Sequence, residues 1–151
     1  MPVTVEFNYS KCISSAKTLE ETFNYLANWH CAIPNNFPGL ESFDKVDAAV
    51  YRWQFQKLQY ASQAIQLQFV TRFEVHKPDR VEMRSVQGNR VNGKWRVVGR
   101  GQRSEVQFEI HLTIELALPF LFKAMAAPIA QKELTKLFDH YLTNVEKTLS
   151  Q

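Results

Sequence analysis

Tyr51, Trp53, Phe69, Phe73, Met83, Trp95 and Phe108 fall at alternating positions of segments that read as strands, so they are predicted to share one face of a sheet. Rings and a thioether gathered on a dry face form apolar walls suited to a flat or greasy molecule. Thr71, Ser85 and Gln87 fall on that face by the same parity. Three polar side chains on a dry face need partners, which a bound molecule or water would supply. Met125, near the start of the last helix, completes the expected ligand-binding set. The same aromatic residues also suit plain core packing.

Other constellations carry less chemistry. General acid–base catalysis needs a titratable group held beside the reacting atom, and the predicted inner face holds no Asp, Glu, His or Lys. Glu109 and His111 share a strand face, but with Gln107, Thr113 and Glu115, which makes a solvated stripe. Asp139 and His140 are helix neighbours pointing in different directions. His30 beside Cys31 has the residue types of a thiolate pair without a third partner. Four scattered histidines and two distant cysteines match no metal or redox spacing. The expectation is no catalytic residue, no metal and no cofactor.

The 151 residues make one domain, 1–151, large enough for a substantial core. Apolar residues are 45% and aromatic residues 13%, with eleven Phe, which excludes a disordered chain. A formal charge of +3 is mild. Arg84, Arg90, Lys94, Arg96, Arg100 and Arg103 cluster in two neighbouring hairpins. They read as a solvated sheet surface, or as a cationic patch that meets an acidic partner or anionic lipid. No helix carries a basic stripe, so nucleic acid is not expected as a partner. The first residues lack a basic-then-apolar leader, and no apolar run reaches the length of a membrane span. A reduced, cytoplasmic setting is expected.

The elements that must position these residues follow from periodicity. Val3, Val5, Phe7 and Tyr9 alternate with polar residues as a first strand. Thr18-Leu19-Glu20-Glu21 is a capping box, opening a helix that should stop before Pro34. Strands are predicted over Leu40–Val46, Ala49–Gln59, Ala64–His76 and Val81–Gln87. Asn92-Gly93 reads as a turn, followed by a short strand through Trp95 and Val97 and a second turn at Gly99-Arg100-Gly101. Val106 to Leu116 alternate strictly as the last strand. Beyond Pro119 the period becomes helical, through Leu134, Leu137, Phe138, Tyr141, Leu142, Val145 and Leu149. Pro128 should kink that helix or mark where its regular part begins. An antiparallel sheet must cover its apolar face, and the C-terminal helix is the element long enough to do so.

This order, together with Asn92-Gly93-Lys94-Trp95-Arg96-Val97, the Gly99-Arg100-Gly101-Gln102-Arg103 turn and the passage through Leu118-Pro119 into the helix, resembles the polyketide cyclase/START-like superfamily, also called the birch-pollen-allergen or helix-grip fold. The resemblance covers essentially the whole chain. It implies an α+β fold, a curved antiparallel sheet of about seven strands wrapped around a long C-terminal helix, with short helices after the first strand. It also implies a cavity between sheet and helix for lipids, quinones, polyketides or similar molecules.

The leading expectation is therefore a non-catalytic carrier or sensor whose partner is a small hydrophobic molecule. One rival is a cyclase/aromatase-type enzyme, which would need a buried ionisable group in the cavity. Another is an interaction module with a packed interior. The run from Pro119 to Ala130 contains one cation and no carboxylate. Phe120, Leu121 and Phe122 are its expected contacts with a membrane or protein.

Overall fold

Strict alternation along both first and last strands lets them pair without a slip. In the computed structural model, which describes residues 3–60, 63–116 and 123–151, β1 (Val3–Ser15) runs antiparallel to β9 (Arg103–Leu116). The register extends from Val3 opposite Leu116 to Ser15 opposite Ser104. A one-residue shift would turn every buried side chain of both strands to water, so the two patterns fix each other.

The remaining strands are β2 (Leu40–Asp47), β3 (Val50–Phe55), β4 (Leu58–Tyr60), β5 (Gln63–Ile65), β6 (Gln68–His76), β7 (Arg80–Gln87) and β8 (Arg90–Arg100). Seven strands form one antiparallel sheet in the order β1-β9-β8-β7-β6-β3-β2. The short pair β4–β5 stands apart as its own ribbon, where the pattern predicts single long strands over Ala49–Gln59 and Ala64–His76. Asn92-Gly93 is no turn but the interior of β8, where the two residues pair with Arg84 and Met83. The turn lies earlier, at Gly88, whose φ of 73° suits glycine. Gly93 serves close packing instead, since a Cβ there would stand 2.7 Å from Met83 Cε.

Two short helices follow β1: α1 (Leu19–Ala27) and α2 (Trp29–Asn36). The capping box forms as the sequence requires, with Thr18 and Glu21 bonding reciprocally. The helical region nevertheless runs past Pro34, which lies inside α2. The ring takes the donor that would have met the His30 carbonyl; both residues are exposed, so water can take its place. A hydroxyl chain from Ser15 through Thr22 to Ser104, each step 2.8 Å, ties α1 to the ends of β1 and β9.

The long helix α3 (Lys123–Leu149) contains the exposed Pro128 and buries Ala126, Leu134, Phe138, Tyr141, Leu142, Val145 and Leu149 against the sheet. Tyr141 anchors it. Its ring stacks on Phe37 at 3.9 Å between centroids, and its hydroxyl accepts a 2.9 Å hydrogen bond from the indole nitrogen of Trp95. This is the expected α+β arrangement, a seven-stranded sheet around a terminal helix.

The Thr18 backbone N–H donates to the Glu21 carboxylate and, with the Thr18 hydroxyl, holds its pKa below the ordinary value. A depressed pKa contributes stability that is present above the unfolded value and lost as pH falls through the folded one. Parent protein should therefore exceed Glu21→Gln in stability at neutral pH. Denaturant titrations at decreasing pH should show that gap closing below the usual glutamate range.

Candidate functional site

The inward stripe of α3 grows in size along its length. Ala126 and Ala130 come first at a spacing of four residues, then Leu134, then Phe138. Where the stripe carries rings, the space beneath is full. Where it carries methyl groups, a hollow of about 560 Å³ remains between sheet and helix. Its walls are Phe55, Ile65 and Leu67 on one side of the sheet, and Val5, Ile114 and Leu116 on β1 and β9. Ala126, Ile129, Ala130, Leu134 and Leu137 close it from above. Polar groups stand only along its margin, where Gln56, Glu133, Lys136 and His140 are exposed. Lys136 Nζ lies 3.6 Å from Glu133 Oε1, so that corner is self-neutralised.

The residues expected to line a cavity lie mostly deeper. Tyr51, Trp53, Phe69, Phe73, Met83, Trp95 and Phe108 do share the inner face, all buried. They pack against one another: Trp53 meets Phe69 at 6.3 Å and Phe73 at 6.2 Å between centroids, and Trp95 meets Phe108 at 5.3 Å. None of them borders the hollow. The predicted polar anchors are also satisfied within the chain. Thr71 accepts a 2.8 Å hydrogen bond from the Trp53 indole, and Ser85 accepts one of 3.0 Å from the Val91 amide. Each takes a protein donor, so their burial calls for no ligand.

Two positions fall elsewhere. Strand parity puts Gln87 on the inner face, but a register shift in β6–β7 sets Thr71 opposite Ser85 and Val70 opposite Gln87. Val86 is the extra residue of this bulge, the phase reverses, and Gln87 is exposed. Met125 is 53% exposed and points away from the neighbouring buried Ala126. Phe120, Leu121 and Phe122 lie outside the described residues.

The titratable pairs raised by the sequence are separated in space or occupied. His111 is held by Asn8 of the adjacent strand, on the outer face with Glu109. Asp139 accepts a 2.5 Å hydrogen bond from Tyr9, whose phenol burial and this neighbouring carboxylate push above its ordinary range. His30 and Cys31 are exposed. Burial likewise raises the pKa of Tyr141, the fully buried phenol in the core. No helix among the described residues is long and apolar enough to cross a membrane.

No protein-family model matches this sequence, and no curated protein matches it. Solved structures do. A START superfamily protein from Mycobacterium smegmatis superposes with a TM-score of 0.68 at 13% identity, over 94% of this chain and 96% of the other. The fold is START-like. A Thermus thermophilus protein with this START-like architecture gives a TM-score of 0.69 at 17% identity, covering 95% and 96% of the two chains. The Zhui aromatase/cyclase from Streptomyces sp. R1128 gives 0.62 at 11%, covering 95% and 91%. At such identities the likeness concerns architecture, and one START-like backbone hosts unrelated activities.

Thr71→Val keeps the side-chain volume but removes the acceptor of the buried Trp53 N–H. Equilibrium unfolding should show a loss of about 1–3 kcal/mol, with binding of an apolar probe to the folded protein unchanged.

Proposed function

We propose that this protein binds and carries a small, largely apolar molecule in the hollow between the sheet and the first half of α3. The observation that carries the reading is the hollow itself. Its volume of about 560 Å³ is appropriate for a small guest, since ligand pockets span roughly 300–1,000 Å³. Its walls come from rigid strands and one helix, so little ordering is required on binding. Removing apolar guest surface from water yields roughly 25 cal/mol per Å² before those costs.

The ligand class expected from the fold, a lipid, quinone or polyketide-like molecule, agrees with walls of Ile, Leu, Phe and Ala. The site thus differs from the deeper residues that the sequence pattern singles out: Tyr51, Trp53, Phe69, Thr71, Phe73, Met83, Ser85, Trp95 and Phe108 form the floor that supports it. Phe120, Leu121 and Phe122 directly precede α3 in sequence. In this reading they make a transient contact with a membrane or a protein while the guest is transferred.

Titration with an apolar fluorescent probe tests the site. The parent should bind saturably with one site per chain. Ala130→Trp should fill the hollow, weaken binding by about tenfold or more, equivalent to about 1.4 kcal/mol, and leave the melting temperature unchanged or higher. Equal binding by parent and Ala130→Trp, or no saturable binding to the parent, would contradict the proposal.

A further inference from the structure

The other side of the sheet carries a separate anion-binding geometry. Arg72 on β6 stands directly opposite Arg84 on β7. The same rung continues through Asn92 on β8, His111 on β9 and Asn8 on β1. Arg72, Arg84 and Asn92 are exposed. Like charges directly opposed on neighbouring strands destabilise the pair unless something compensates them.

On the adjoining rungs that compensation is present. Glu74 and Glu82 lie 3.4 and 3.1 Å from His76 Nε2, and Arg80 Nε lies 3.6 Å from Glu82. Lys94 is 3.9 Å from Glu109, Arg96 is 4.0 Å from Asp79 and Arg100 is 3.4 Å from Glu105. The cationic cluster apparent in the sequence is thus largely neutralised at Lys94, Arg96 and Arg100. Arg72 and Arg84 differ. Among the described residues no carboxylate lies within 4.0 Å of either, and neither side chain makes a hydrogen bond.

Both arginines line an outer groove of about 750 Å³, together with Asn92, Lys94 and His111. The bulge at Val86, two residues beyond Arg84, lies on the same groove and bends β7 beside it. Glu74, Glu82 and Glu109 also face it, each with the cationic partner named above. What the groove retains is two planar guanidiniums on one rung, with the Asn92 amide as the next donor. A guanidinium fork matches the spacing of two oxygens on one oxyanion. Two opposed forks match a dianion better than a single carboxylate, and a phosphate monoester carries about −1.5 to −2 at neutral pH.

We propose that this groove binds a phosphate group, free or as the monoester of a small molecule, between Arg72 and Arg84. The site is separate from the apolar hollow and stands or falls independently of it.

Thermal unfolding in low-salt buffer tests the proposal, with inorganic phosphate as the probe and sodium chloride at matched ionic strength as the control. Phosphate at about ten times its dissociation constant should raise the parent's Tm by about 4 °C beyond the chloride effect. Arg72→Gln/Arg84→Gln should lose that increment. Without phosphate the double variant should melt above the parent at low salt, because the opposed charges are gone, and added chloride should shrink this difference. The single variant Arg84→Gln should lose most of the phosphate effect as well. Equal shifts from phosphate and chloride, or a phosphate shift that survives in the double variant, would overturn the site. Capture on phosphatidylcholine vesicles containing phosphatidic acid, without any response to phosphate, would also overturn it in favour of a membrane-facing surface.

Discussion

The size gradient along the inward stripe of α3 decides how much of the space under the helix is filled. Phe138 and Tyr141 sit over Phe7, Phe37 and Phe108, with ring centroids 3.9 to 5.9 Å apart, and leave that part of the interior solid. Ala126 and Ala130 lie on the same stripe in the turns before Leu134, where the opposing strands end in Phe55, Ile114 and Leu116. Protein interiors pack as densely as organic crystals, so small residues on one side need large ones opposite, or a gap remains. Here the sheet curves away and the gap remains. Two buried side chain–side chain hydrogen bonds, from Trp95 to Tyr141 and from Trp53 to Thr71, hold the solid half in place.

Much of the architecture is legible in the sequence because its signals are periodic. Alternation in β1 and β9 and the helical spacing from Leu134 to Leu149 each specify one face. The Thr18–Glu21 capping box specifies one helix start, and all of these occur where the pattern places them. Local exceptions are not legible. The bulge at Val86 moves Gln87 to the other face without a sequence mark. Gly93 resembles a turn residue, but its lack of a side chain makes room for Met83. Pro34 is tolerated because the carbonyl it abandons is on an exposed residue.

The site is legible only in kind. An aromatic inner face is expected and exists, yet those rings satisfy one another and so form a floor instead of a pocket. The Ala126–Ala130–Leu134–Phe138 gradient is written in the chain, but its meaning depends on which strands face it. That is a long-range fact. A START-like fold likewise indicates where a guest would sit without naming it, because the architecture is shared by proteins described as aromatase/cyclases and by others known only by superfamily.

The most direct measurement is a methyl-resolved NMR titration with an apolar probe. The account predicts saturable shifts at the methyl groups of Ala126, Ala130, Ile65, Leu67 and Ile114, with Val106, Leu142 and Val145 unmoved. Shifts centred on those packed residues or on the outer face of the sheet, or no saturable shifts at all, would contradict it.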